Sequence, residues 1–592
     1  MGAIGALSIA GTGLPAQADR AFAQDATFPD PKIGQPVEAK VDISTGEVTV
    51  NEDILVRFSA CLGCYSSCGN RVKIERDTGR IMTVGGNPYH PNNAYPYLNF
   101  TDSLNEAYLS MSYANGKGNV TRGTLCGRGQ GTQDAYSQPD RITMPLKRAG
   151  KRGEGKWKPI SWDQLIEEVT EGGKLFSDIG EDTVIEGFKA IHDTTTPLDS
   201  AQPGLGPKSN QYVGLGGRGD GRAALAGRFA SSYGSLNNYG HGATCGGSAI
   251  ARALVESGTY DTSTDLENCE YVLWMGTFPG STGKSFQGIS KRTMKALQEK
   301  GAKMDVFDPV LGSGCVTPTV KNINWIPIRT ATNSALACAM IRWMIENKAY
   351  NADFLSFTNY KAGFAGGYAS YTNASHLVIV DDSSAGNHKL MQAADAGIED
   401  PGQTTSAGKP VAQYVVIDKA TGQPALHTAC TQGELEYEGT VNGVKVRTAF
   451  LVLRDSVMEK TMDEYAEITQ VPVSELERVA KEFTSHGVKA SANSMGGTAT
   501  VNGIDGSFAY RILNAMIGSN QMLGGSMARR VSAKTTADGS RYKLATIAGK
   551  PDVSTTNATY ISRNGKAWPK TDEYAQRVAA GEKSPKPKLP WY

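Results

Sequence analysis

At 592 residues the chain is too long for one hydrophobic core and reads as several domains. Its 60 Lys and Arg balance its 59 Asp and Glu, so nothing in the charge favours nucleic acid or another polyanionic partner. The nine cysteines form no paired framework, which argues against a disulfide scaffold, and no apolar run is long enough to span a membrane.

The chain opens on a small-residue apolar stretch, Gly2 to Leu14, and Ala21-Phe22-Ala23 fits the cleavage rule of a secretory signal. A positive start is missing, so residues 1–23 read as a truncated signal peptide whose front would carry a twin-arginine pair. Val48 to Ser59 and Arg71 to Val84 alternate as strands, the second around an Asp77-Thr78-Gly79 turn. Between them lies Cys61-Leu62-Gly63-Cys64-Tyr65-Ser66-Ser67-Cys68-Gly69, and a lone Cys126 follows in Gly123-Thr124-Leu125-Cys126-Gly127-Arg128-Gly129. Three thiolates in one loop and a fourth from a distance are the donor set of a [4Fe-4S] cluster. Gly63 and Gly69 are expected to turn the loop with positive φ. Structural zinc is the rival, but a zinc ribbon brings a second C-x-x-C where this chain has a single cysteine.

Residues 45–146 thus read as a small β-rich domain around the cysteines, and residues 147–346 as an α/β domain. In the latter, Ser161-Trp162-Asp163-Gln164 is a capping box whose helix has an apolar face of Leu165, Ile166 and Val169. Tyr271 to Gly276, a helix over Ser285 to Lys300, and Met304 to Phe307 make a βαβ unit, hence a parallel sheet that binds ligands beyond its carboxyl ends. Asp308 stands at such an end, where it can take a ribose or base edge or simply make a turn. Ser334 to Glu346 is a further helix. Residues 347–470 read as a polar insertion and 471–592 as a second α/β half, with a capping box at Ser474-Glu475-Leu476-Glu477, a strand over Val488 to Ala492 and a helix over Ser507 to Ile517.

Two nucleotide motifs fail. Gly214-Leu215-Gly216-Gly217-Arg218-Gly219 has the G-x-G-x-x-G spacing without a preceding strand or a later acidic residue, and Gly283-Lys284-Ser285 lacks the first P-loop glycine, Phe278 standing in its place. Cys245, in Asn238-Tyr239-Gly240-His241-Gly242-Ala243-Thr244-Cys245-Gly246-Gly247, is different: glycines on both sides let the backbone approach something large, and the thiolate suits a nucleophile or a soft metal ligand. Cys269, Cys315, Cys338 and Cys430 read as small buried apolar residues.

The cysteine loop with Cys126-Gly127-Arg128-Gly129, the His241 to Gly246 loop, the βαβ unit ending at Asp308 and Ala331-Thr332-Asn333-Ser334-Ala335-Leu336 together resemble molybdopterin oxidoreductases of the dimethyl sulfoxide reductase superfamily. Gly85-Gly86-Asn87-Pro88-Tyr89-His90-Pro91, Lys147 to Trp157, Ala190-Ile191-His192 and Gly206 to Gln211 resemble its tetrathionate-reducing catalytic subunits. The resemblance runs from the cysteine loop to Tyr592. It implies a multidomain α/β molybdopterin oxidoreductase fold with a β-rich iron-sulfur domain, lacking the C-terminal cap domain that such enzymes fold over their pterins. It makes Cys61, Cys64, Cys68 and Cys126 the cluster ligands and Cys245 the thiolate on a molybdenum held by two molybdopterin guanine dinucleotides. Arg128 would lie between cluster and pterin, with His241, Asp308, Gly524 and Gly525 as further cofactor contacts, and Met495 stands where some relatives carry histidine.

The implied function is a periplasmic terminal reductase of anaerobic respiration, exported by the twin-arginine route and held at the membrane through its partners. Those partners would be a membrane quinol oxidase subunit, plus an iron-sulfur electron-transfer subunit. The substrate would be a small oxyanion or polythionate: tetrathionate first, arsenate or selenate as alternatives, with Arg218, Arg222 and Arg228 as a positive funnel. The competing reading is a non-catalytic cofactor-binding fragment.

Overall fold

The computed structural model describes residues 37–42, 44–45, 47–63, 67–99, 101–102, 123–201, 206–216, 223–235, 237–240, 246–259, 261–277, 286–312, 321–405, 408–494, 496–500, 503–529 and 572–581. The signal-like stretch, Cys64, Arg218, Arg222, His241, Cys245, the Gly283-Lys284-Ser285 motif, Cys315 and Met495 lie outside them.

The first sheet is antiparallel and in sequential order: β1 (Val37–Val41), β2 (Val48–Ala60), β3 (Gly69–Glu75) and β4 (Ile81–Gly86). The Arg71 to Val84 stretch folds back at its expected turn, with Gly79 at φ 67, into a hairpin of two strands. A one-turn helix, α1 (Gly127–Gln130), follows Cys126. After the hairpin β5 (Leu146–Arg148) and β6 (Trp157–Pro159) comes α2 (Trp162–Glu171), where half of the expected capping box forms: the Ser161 hydroxyl accepts the Gln164 N–H at 3.0 Å, while Gln164 Nε2 donates to Glu168 at 2.9 Å. Its apolar side is not covered: Ile166 and Val169 are exposed, and Trp162 lines a groove of about 660 Å³ with Ile142, Met144, Leu146 and Trp157.

Next come β7 (Gly214–Gly216), α3 (Ala223–Tyr233), β8 (Asn238–Gly240), α4 (Gly247–Ser257) and β9 (Asp261–Thr264). The G-x-G residues form β7 itself, paired in parallel with β8, so they are no strand-to-helix phosphate turn.

The central sheet is parallel. β10 (Tyr271–Met275), α5 (Phe286–Glu299) and β11 (Lys303–Phe307) realise the expected βαβ unit, and β12 (Ile323–Ile326) lies outside β11. The chain continues through α6 (Asn333–Glu346), α7 (Ala449–Met458), α8 (Met462–Thr469), α9 (Val473–Ser485), β13 (Ala490–Asn493), α10 (Gly503–Met516) and β14 (Ser526–Arg529). The sheet order is β12-β11-β10-β13, so the stretches read as two α/β halves meet in one sheet, and β14 pairs antiparallel with β9. All five residues of β10 are buried, because helices cover both faces. Tyr271, Leu273 and Met275 pack into the core of α6, α9 and α10, while Val272 and Trp274 pack beneath α5. The alternation of the strand assigns each side chain to a face, and each large one buried there contributes roughly 1.5–3 kcal/mol.

The polar insertion forms its own small core between α6 and α7, with Leu377, Ile379, Met391, Val415, Ile417, Val441 and Val446 buried together. The second capping box does not form. Helix α9 starts one residue before Ser474, with Pro472 as its cap and no side-chain bond there. A complete capping box stands instead at Thr461 and Glu464 of α8.

Candidate active site

The β2–β3 hairpin positions the first cysteines. Its last ladder pair is Ala60 with Gly69, and beyond it the Cys61 N–H donates to the Cys68 carbonyl at 2.8 Å, so the two cysteines face each other across the base of the loop. Both are buried, in one cluster with Val84 and Leu125. Cys126 arrives through Asn93, which is wholly buried. The Gly69 N–H donates to Asn93 Oδ1 at 2.7 Å, Asn93 Nδ2 donates to the Thr124 carbonyl at 2.7 Å, and the Thr124 N–H returns to the Asn93 carbonyl at 3.0 Å. One amide thus stitches the cysteine loop to the segment that ends at Cys126. Gly86 and Gly123 allow the contact, since a Cβ on either would meet the other segment's backbone.

The glycines of the loop act differently from expectation. Neither Gly63 nor Gly69 has positive φ; the left-handed residue is Ser67, at φ 47. They are needed for close approach. A Cβ on Gly63 would lie 2.8 Å from Arg128 Cγ and Cδ, and one on Gly69 would lie 2.9 Å from the Cβ atoms of Asn87 and His90. Arg128 therefore lays its stem over the loop and reaches the Gly63 carbonyl through Nη1 at 3.4 Å.

Cys61 and Cys126 are free thiols. Among the described residues no three His, Cys, Asp or Glu side chains converge on a single metal ion. Two soft donors, Cys61 and Cys68, face each other at the loop base beside the Arg128 guanidinium, with Cys126 on the segment stitched to it; this donor chemistry fits an anionic iron-sulfur group, to which Cys64 would add a fourth thiol.

The second region is the carboxyl edge of the parallel sheet. Gly276, just past β10 at φ 59, lies so close to Gly497 beyond β13 that a Cβ would come 2.5 Å from the Gly497 Cα. Asn333, at the start of α6, lies beside this contact, and its Oδ1 lacks a hydrogen-bond partner among the described residues, as do two further buried atoms, Ser494 Oγ just past β13 and Ser507 Oγ in α10. Unmet buried polar groups are costly, so a polar ligand there would satisfy them, and a pterin edge with its amide and amine groups fits. Asp308 stands at the same edge, half-buried; its Oδ1 accepts the Val310 N–H at 3.0 Å and its carbonyl accepts Trp325 Nε1 at 2.8 Å.

Gly524 and Gly525 lie at the opposite, amino edge. Gly524 packs on Asn268 and Lys489, and its N–H donates to Asp265 Oδ2 at 3.0 Å, while Gly525 packs on the Ser519 and Val488 carbonyls. A Cβ on either glycine would meet neighbouring backbone, which gives both a packing reason.

The loop of His241 and Cys245 is bracketed by described elements. Upstream, Phe188, Tyr212, Phe229 and Tyr233 pack with ring centroids 5.3–6.2 Å apart, Tyr233 donates to the Phe188 carbonyl at 2.6 Å, and Asn237 Nδ2 donates to the Asn210 carbonyl at 2.6 Å. Downstream, α4 begins two residues after Cys245. Arg228 of the expected funnel is half-buried on α3. Of the leftover thiols, Cys269 is buried and burial pushes it up to about 12, while Cys338 and Cys430 are only half-buried and burial raises them too.

The sequence reading missed Asn93, Ser494 and Ser507. Their roles depend on contacts between distant segments, and no local pattern marks them.

Residues 206–574 match the family model described as molybdopterin oxidoreductase. The chain belongs to the molybdopterin oxidoreductase family. It is 34% identical over 555 residues to a tetrathionate reductase subunit from Salmonella typhimurium, covering 92% of this chain and 52% of that protein. It is 31% identical over 523 residues to a selenate reductase subunit from Mesobacillus selenatarsenatis, covering 80% and 47%. It is also 28% identical over 618 residues to a tetrathionate reductase subunit from Archaeoglobus fulgidus, covering 90% and 51%. The chain therefore spans about half the length of these curated relatives. Among the described residues no helix is long and apolar enough to cross a membrane.

Proposed function

We propose that this molybdopterin oxidoreductase is the catalytic subunit of a respiratory reductase that converts tetrathionate to thiosulfate. The observation that carries the reading is the pairing of two sites in one chain: cysteines facing each other at the hairpin base beside Arg128, and an edge of unmet polar groups where a parallel sheet takes its ligand. The likeness to tetrathionate reductase subunits from a bacterium and an archaeon supports tetrathionate as the substrate; the likeness to a selenate reductase keeps selenate as the second reading.

Cys61, Cys64, Cys68 and Cys126 would hold a [4Fe-4S] cluster, and Cys245 a molybdenum carrying two molybdopterin guanine dinucleotides. When bound, the molybdenum group supplies two-electron exchange with the substrate and the cluster supplies one-electron relay. The chain's own residues do the rest. Arg128 sets positive charge against the cluster loop and lowers the cost of adding an electron there. Asn333, Ser494 and Ser507 orient the pterin by hydrogen bonds, and Asp308 stands at the same edge. Tetrathionate takes up two electrons, its central S–S bond breaks, and two thiosulfates leave. The electrons would come from a quinol oxidase in the membrane through an iron-sulfur subunit, with this chain in the periplasm after twin-arginine export.

The test is metal analysis and electron paramagnetic resonance on anaerobically purified protein, with a reduced-viologen assay on tetrathionate and selenate. Iron, molybdenum and faster turnover of tetrathionate are expected. Cys64→Ser should remove most of the reduced-cluster signal, and Cys245→Ser should keep that signal while abolishing turnover. Zinc without iron would sink the cluster assignment, and faster selenate turnover would replace the substrate.

A further inference from the structure

Because α4 starts two residues after Cys245, whatever fixes α4 fixes one end of the Cys245 loop. Three charged side chains hold it. Arg252 and Arg511 are 1% and 3% exposed, and both grip the carboxylate of Glu256. Arg252 Nη1 donates to Glu256 Oε2 at 2.6 Å, Arg511 Nε donates to the same oxygen at 2.9 Å, and Arg511 Nη2 takes Oε1. The other arms reach further: Arg252 Nη2 donates to the Tyr510 hydroxyl at 2.6 Å and to Thr262 Oγ1 at 3.2 Å, and Arg511 Nη1 donates to Ser526 Oγ. The group thereby joins α4, β9, α10 and β14. The two helices also meet at their amino ends, where a Cβ on Gly503 would lie 2.8 Å from Ser248 Oγ.

Two buried cations share one partly exposed anion, and Arg252 Nε has no acceptor among the described residues. Such a group is a poor source of stability, since apolar side chains of like volume serve as well or better. What it adds is direction. A guanidinium fork bonded on both edges accepts one register between its neighbours, whereas apolar packing tolerates sliding.

We infer that Glu256, bridging Arg252 and Arg511, is a positioning residue that sets the register of α4 against α10 and so the place where the Cys245 loop presents its thiol. The functional consequence rests on Cys245 being the molybdenum ligand; the clamp itself does not.

Glu256→Gln keeps the volume and removes the charge. In the metal-free chain it should raise amide hydrogen exchange along α4 by about tenfold or more, against less than about twofold in β2 to β4. Iodoacetamide labelling of Cys245, read by mass spectrometry, should change by about threefold or more while Cys338 stays constant. If the glutamine variant fails to fold, Arg252→Lys decides, because it keeps the charge and loses the fork to Tyr510 and Thr262; the same local changes are expected. Unchanged exchange and labelling, or loosening spread evenly over the chain, would overturn the inference. In molybdenum-loaded protein the molybdenum resonance should shift while the cluster signal stays. A loosened α4 with an unaltered molybdenum signal would leave the clamp standing and refute Cys245 as the ligand.

Discussion

Asp305 is a carboxylate in the middle of a parallel sheet, 1% exposed, and it survives there because every side supplies a donor. Tyr271 donates its hydroxyl at 2.5 Å, Arg478 Nη2 donates at 2.9 Å and Asn324 Nδ2 at 3.1 Å, which pins α9 to the sheet. His376 shows the opposite solution, burial without charge. It is 2% exposed, 5.2 Å from the His427 ring, and its Nδ1 has no partner among the described residues. Burial, with help from His427, lowers its pKa to about 4, and burial lowers His427 as well. A histidine held neutral in the fold but free to protonate when unfolded contributes stability that is complete above the ordinary value near 6.5. That contribution falls away as pH drops from there toward 4. We predict that the insertion loses up to about 3 kcal/mol of stability through this window, and that His376→Leu flattens this part of the profile. Hydrogen exchange of Leu377–Ile379 at pH 7 and pH 4.5 measures it; equal slopes in the two proteins would remove the histidine from the account.

Among elements, those legible in the sequence are the ones whose signals are local. Tyr271 to Gly276 reads as a strand because a short apolar run buried on both faces needs no distant information, and the βαβ unit follows from it. The cysteine hairpin is legible for the same reason, while Asn93, which joins it to Cys126, is a contact between segments 31 residues apart and leaves no periodic trace. The second capping box shows how a local signal can lose. Ser474 has the right neighbours, but Gln470 at φ 59 and buried Val471 set the chain so that Pro472 starts the helix, and Ser474 falls within the first turn. Thr461, by contrast, accepts the Glu464 N–H at 3.2 Å while Glu464 accepts the Thr461 N–H at 2.7 Å. Thr461→Ala should therefore cost about 1 kcal/mol, and Ser474→Ala less than about 0.5 kcal/mol. Denaturant melts of the two variants test this, and equal losses would show that both serve as caps.

At the scale of the whole molecule, the cysteine site and the carboxyl edge proposed for the pterin sit on different sheets, so their separation depends on whatever joins those sheets. One loop after β4 serves both. Asn93 in that loop secures the cysteine hairpin, and two residues later Tyr95 reaches the central sheet's helix α5. The Tyr95 hydroxyl donates to Glu267 at 2.7 Å, and its ring lies 4.9 Å from the Arg292 guanidinium and 5.5 Å from the Lys295 ammonium. The bond to Glu267 is also the main reason the phenol is held above its ordinary pKa. Each cation over the ring contributes about 0.5–1 kcal/mol at a site this open, so the seam is weak enough to break with one substitution. Tyr95→Ala should lower stability by about 1–2 kcal/mol, and Tyr95→Phe, which keeps the ring, by less than half of that. If this seam holds the two sites of the proposed reductase at a fixed distance, the cofactor-loaded Tyr95→Ala protein should keep the reduced-cluster signal expected of it but reoxidise the cluster more slowly when the proposed substrate, tetrathionate, is added, with Tyr95→Phe close to wild type. Freeze-quench resonance after mixing with substrate measures that rate. Wild-type reoxidation in the alanine variant, together with the expected loss of stability, would mean that the distance is set elsewhere along the interface and that Tyr95 contributes to the fold alone.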